Sequence, residues 1–169
     1  MTKSGAKVEV GAVQAAWDQA CILRSGSDRN TWPVLGERIA AATALYGTAE
    51  LLRGTVLLID GALHQIGAGR PGGEEFTERF TTTLMDRLGQ WATTEMVEPA
   101  DLPMVRQVVK TVFEGHDSVT WRDRAGPVPD SEPRAMTCAL ALIADFVDHV
   151  DGPGTCERAL LTALGGALD

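Results

Sequence analysis

From Ile39 to Leu63 the chain reads IAAATALYGTAELLRGTVLLIDGAL, with Glu50, Arg53 and Asp60 as its only charged residues. A helix that is apolar nearly all round has to be packed on several sides, so this segment predicts a central helix. At 3.6 residues per turn its polar side chains fall on one narrow stripe, made of Tyr46, Glu50, Arg53, Asp60 and His64. The competing reading, a buried parallel strand over Thr55–Gly61, needs strand partners. Only the short pieces Lys7–Val10 and Ser118–Trp121 look extended, so the helix is preferred.

Heptads written from Ala42 place Leu35, Ala42, Ala49, Val56 and Leu63 at one core position. Leu45, Leu52, Ile59 and Ile66 follow at the other. Small residues recur every seventh position at Ala40, Gly47, Gly54, Gly61 and Ala68. Each interior glycine costs a helix about 1 kcal/mol against alanine. Gly47, Gly54 and Gly61 are therefore expected to form a ridge against which another backbone packs closely, within the chain or across a dimer. A single long helix over 33–67, continuous or gently kinked, is the expectation; a break would fall near Gly54.

Other segments carry helical spacing with recognisable punctuation. Val10, Val13, Trp17, Ala20, Cys21 and Leu23 define a first helix that stops at Ser25-Gly26-Ser27-Asp28, and Thr31 caps the next. After the turn Pro71-Gly72-Gly73, the residues Phe76, Phe80, Leu84, Leu88, Trp91 and Met96 make an apolar face ended by Pro99. Asp101 is expected to cap a helix through Val105, Val109 and Val112. Ser131 and Thr155 are expected to cap the last two, around Gly152-Pro153-Gly154. The stretch 116–130, rich in Asp, Arg, Gly and Pro, reads as an irregular loop. These elements predict an all-α, single-domain bundle of about six helices over residues 9–169, with a flexible tail at 1–8.

Composition narrows the partners. A net charge of −8 argues against nucleic acid, whose phosphates need a basic face. No apolar run approaches the roughly 18 residues of a membrane span, and the start lacks a secretory pattern. The expectation is a cytoplasmic protein. Cys21, Cys138 and Cys156 are odd in number and widely spaced, which predicts reduced thiols and no metal knuckle. Only three of the fifteen basic residues are lysine, a bias typical of a GC-rich bacterial genome.

Chemistry could reside in two Asp-x-x-x-His pairs, Asp60 with His64 and Asp145 with His149. If their helices faced each other, the four could ligate a divalent metal. The order of His64, His116-Asp117 and Asp145 resembles that in HD-domain phosphohydrolases. Glu74-Glu75-x-x-Glu78 with Glu95-x-x-Glu98 resembles the EExxE…ExxD pattern of MazG-type nucleotide pyrophosphatases. Each resemblance covers a handful of residues, and neither names a family. Trp121, alone among polar neighbours, is a candidate partner contact.

The leading expectation is thus a small acidic helical protein acting by association, as a homodimer and with a second protein, in a regulatory, immunity or chaperone-like role. A divalent-metal hydrolase of a phosphorylated small molecule, through Asp60, His64, Asp145 and His149, is the enzymatic alternative. A small-ligand sensor, its pocket lined by the polar stripe and Tyr46, is the third.

Overall fold

A computed structural model describes residues 7–25, 31–68, 73–94 and 96–165. The turns expected at 26–28 and 71–72, and most of the expected tail, lie outside them. Of the expected tail, Val8 packs on the core, and just after it the amide of Glu9 donates to Glu50 Oε1 at 2.6 Å.

Among the described residues all regular structure is helical. The order is α1 (Val10–Ser25), α2 (Thr31–Tyr46), α3 (Thr48–Gln65), α4 (Glu74–Ala92), a 3-10 turn at Pro99–Asp101, α5 (Leu102–Phe113), α6 (Ser118–Arg124), α7 (Glu132–Asp151) and α8 (Thr155–Gly165). None of these helices is long and apolar enough to cross a membrane.

Two helices more than expected arise from identifiable causes. The long 33–67 helix is divided, and at Gly47 instead of Gly54. Gly47 adopts φ 84° and ψ 155°, a conformation open essentially to glycine alone, while Gly54 stays helical within α3. Leu45 and Ala49, expected core positions on either side of the break, are exposed instead of buried. The 116–130 stretch is not wholly irregular: it contains α6, whose first turn is capped by Asp117 accepting from the Thr120 amide at 3.0 Å. Asp101 and Ser131 stand at the N-cap positions of α5 and α7 but make no side-chain cap bond. Both helices instead carry proline in the first turn, where the missing N–H costs nothing.

The centre of the molecule is α3. Leu51, Leu52, Val56, Leu58, Ile59, Ala62 and Leu63 are buried, and α1, α2, α5, α6, α7 and α8 all pack around it. Its end is a Schellman motif, in which Ala68 N–H reaches the Leu63 carbonyl, Gly67 N–H reaches that of His64, and Gly67 supplies φ 104°. The buried hydroxyl of Thr55 donates to Leu51 O at 3.0 Å, so a polar atom inside the core costs little. Along its length α7 is the second buried element, with Met136, Cys138, Leu140, Ile143, Ala144 and Val147 turned inward.

Glycines on α3 meet different neighbours. At Gly54 a β-carbon would meet the α1 backbone at Ala12 and Val13, and at Gly61 it would meet the Leu160 side chain of α8 at 2.9 Å. Small side chains there let the axes approach beyond what a larger residue permits.

Candidate functional site

On α3 the polar stripe is half-buried and divided into two clusters, both involving α6. In the first, Glu50 accepts from the Glu9 amide and pairs with Arg53 Nη1 at 2.7 Å, while Arg53 Nε lies 3.2 Å from Asp123 Oδ1. Burial opposes the Glu50 charge, but the Glu9 amide and the Arg53 guanidinium outweigh it and hold its pKa below the ordinary value. Burial also opposes the Arg53 charge, and Glu50 and Asp123 raise its pKa despite that.

In the second cluster Asp60 is the middle member. Its Oδ2 accepts from Ser118 Oγ at 2.7 Å and its Oδ1 lies 2.9 Å from His64 Nδ1. His64 Nδ1 is also 2.8 Å from Asp60 O. Both neighbours are acceptors, so Nδ1 carries the proton. Serine, carboxylate and imidazole are thus adjacent, yet in an order that activates nothing. The Ser118 hydroxyl is fully buried and donates to the carboxylate, with no basic nitrogen beside it.

Tyr46 does not join these clusters. It lies over Gly11, where a β-carbon would overlap its hydroxyl, and thereby packs the end of α2 onto α1. A recess of about 320 Å³ beside Arg53, between Thr48, Leu52 and the 126–128 loop, is not lined by Tyr46. The structure therefore does not gather the stripe and Tyr46 around one pocket.

The second Asp/His pair is also separated from the first. Asp145 and Asp148 both bind Arg24 of α1, Asp145 at 2.6 Å. Asp148 Oδ1 further accepts from the Cys156 amide at 2.9 Å, tying α7 to α8. Burial opposes the Asp148 charge, but that amide and Arg24 prevail and lower its pKa. Among the described residues no three His, Cys, Asp or Glu side chains are grouped closely enough to hold a metal ion. Asp60 and His64 thus pair with each other, while Asp145 pairs with Arg24, and the four do not form one metal site among the described residues. His116 is exposed and Asp117 is the α6 cap; Glu74, Glu75 and Glu78 sit at the start of α4, and Glu95 lies outside the described residues.

Cys138 and Cys156 are buried, and burial also raises the pKa of the half-buried Cys21. Burial pushes the Cys138 thiol up to about 12, and burial together with the nearby Asp148 does the same for Cys156. Trp121 is half-buried on α6 and packs against the core.

Two features escaped the sequence reading. The first is a buried ion pair, in which Arg122 Nε and Nη2 donate to the two carboxylate oxygens of Glu132 at 3.2 and 2.6 Å. Arg122 Nη1 and Nη2 also donate to the carbonyls of Gly126 and Pro127. The guanidinium thereby fastens the 125–131 loop between α6 and α7. No periodicity signals a pair ten residues apart across a loop.

The second is a cleft of about 620 Å³ between α4 and α7. One wall is a single face of α4, with Phe76, Arg79, Phe80, Thr83, Leu84 and Arg87 at helical spacing; the other is Leu142, Asp145, Phe146 and His149 of α7. Phe80 is central: its ring meets Phe146 edge-on at 5.1 Å and Phe113 at 5.9 Å, and stacks with Phe76 at 5.9 Å. Edge-to-face pairs of this kind hold rings in defined positions, so the floor is rigid. Phe76, at the mouth, remains 42% exposed. The spacing on each helix was legible in the sequence; that the two faces oppose each other was not.

Comparison with protein-family models, with curated proteins and with solved structures finds no match.

Proposed function

We propose that this protein works by binding, and that its guest is a small apolar molecule held in the α4–α7 cleft. The observation that carries the reading is the cleft itself. About 620 Å³ falls within the 300–1,000 Å³ range of small-molecule sites, and a phenylalanine-rich floor with a few polar rim groups is their usual composition. Structural pairing occupies other titratable groups: Glu50 holds Arg53, Arg53 and Asp60 hold α6, and Asp148 and the cleft-wall Asp145 hold Arg24 of α1. The reading corresponds to a carrier or sensor.

Thr83 is exposed on the cleft wall, so Thr83→Trp fills the space without disturbing the core. The neutral fluorophore N-phenyl-1-naphthylamine is expected to bind wild type saturably, one per chain. It should not bind the variant at an unaltered melting temperature. No binding to wild type, or equal binding to both proteins, would end the reading.

A second reading, self-association, is favoured by the outer face of α2. Val34, Arg38, Ala41 and Leu45 lie along one exposed stripe, with Leu45 72% and Val34 45% exposed. Two-fold pairing of that stripe would cover it. Native mass spectrometry should then find a dimer that Leu45→Glu converts to monomer; a wild-type monomer at high concentration removes this reading.

A further inference from the structure

We infer that the guest of the α4–α7 cleft is a single-chain carboxylate, an anionic amphiphile whose tail lies on the phenylalanines and whose head meets arginine. This rests on the binding reading above and names the class of ligand. The floor, made of Phe80, Leu84, Leu142 and Phe146, and Phe76 at the mouth offer side-chain hydrocarbon and no polar side-chain atom, so any polar group of the guest has to sit at the rim.

The charges at that rim are unevenly committed. Asp145, the acid of the α7 wall, lies 2.6 Å from Arg24 and shares that guanidinium with Asp148. Arg79 pairs with Glu75 at 2.5 Å, but both side chains are nearly four-fifths exposed, and such surface pairs exchange readily. Arg87 makes no ion pair among the described residues, and His149 is the other polar group of the α7 wall. Two guanidiniums, Arg87 uncommitted and Arg79 in a loose surface pair, therefore flank an apolar cleft on a chain whose net charge is −8. A guanidinium fork matches a carboxylate in geometry as well as charge.

The cleft is long enough to take an extended chain. The lining of α4 runs from Phe76 to Arg87, about 16 Å along the helix, and Arg79 and Arg87 lie about 12 Å apart. An extended tail lying along the α4 face leaves its head at one of the two arginines.

The test is calorimetric titration of the full chain with decanoate, with decan-1-ol and with decyltrimethylammonium, each kept below its aggregation concentration. Decanoate is expected to bind one per chain, about two- to fivefold tighter than the alcohol, with the ammonium weakest. Arg79→Gln with Arg87→Gln should erase the advantage of the carboxylate and leave binding of the alcohol unchanged. Both arginines are exposed, so circular dichroism of the double variant should match wild type. Equal affinity for decanoate and decan-1-ol, with both blocked by Thr83→Trp, overturns the carboxylate inference and leaves the apolar cleft standing. No binding of either, or binding that Thr83→Trp leaves intact, overturns both.

Discussion

A β-carbon on Gly54 would stand 2.9 Å from the carbonyl oxygen of Ala12, because α3 and α1 cross backbone to backbone at that point. Gly61, one heptad later, faces only the tip of the Leu160 side chain. Two glycines on the same helix therefore differ in what opposes them: one meets main chain, the other a movable methyl.

Gly54→Ala should destabilise the protein. Overpacking against backbone costs about 1–3 kcal/mol, and the better helix propensity of alanine returns about 1. Gly61→Ala should be neutral or slightly stabilising, since Leu160 can rotate away. Urea midpoints of both variants check the contrast; equal midpoints would mean that the α1–α3 crossing is looser than described.

Gly47→Ala tests the break between α2 and α3. Nothing lies within 4 Å of a β-carbon there, so the cost is purely that of holding φ 84° and ψ 155° with a side chain, about 1–3 kcal/mol. Gly47→Asn should lose a similar amount, because asparagine eases the left-handed helical region but not this extended one. A variant of wild-type stability would point to a continuous helix through residue 47.

Arg122 and Glu132 are each about 1% exposed. Removing one partner leaves a buried charge alone, so Arg122→Met or Glu132→Leu should cost about 3–5 kcal/mol. The double variant Arg122→Met, Glu132→Leu should recover much of that loss, since the Gly126 and Pro127 carbonyls lie on exposed residues that water can reach. A double-mutant cycle measures the coupling, and strictly additive losses would argue against a coupled pair.

Acid should unfold the protein through Glu50 and Asp148, whose pKa values are lowered in the folded state. The unfolded chain then binds more protons, so stability rises with pH across this window. Their contribution is complete above the ordinary carboxylate value of about 4 and disappears as pH falls through the lowered folded values. Denaturation followed from pH 6 to pH 2 should show a shallower acid limb for Asp148→Asn than for wild type. Coincident limbs would mean that Asp148 does not carry this linkage.

Helix content, the central position of α3 and the small residues on it were legible in the sequence, because burial on all sides leaves a compositional trace that single-residue periodicity reads directly. Asp117 as a cap was also within reach, since a capping residue acts on the next three residues alone. It was obscured by the polar composition of 116–130, which outweighs a short helix in any window wider than a few residues.

Which polar side chains meet was not legible. Asp60 was associated with His64 by spacing, but its second partner, Ser118, comes from a helix 58 residues away. Asp145 was associated with His149, whereas its ion pair is with Arg24, 121 residues earlier in the chain. Helical periodicity places a residue on a face and carries no information about which face opposes it.

By itself, then, the sequence determined that the 51–63 part of the apolar segment is largely interior and helical, and that the chain carries excess negative charge; the 39–49 part is mostly at the surface, with Leu45 72% exposed. Tertiary structure alone decided that Gly47 breaks and Gly54 does not, that the polar stripe holds α6 in place, and that Phe80 and Phe146 close the floor of a cleft with arginines at its rim. The physical reason is that propensity and periodicity are sums over neighbours in sequence. A close backbone approach, a buried ion pair and a cleft are properties of two surfaces brought together, and exist only once the helices have packed.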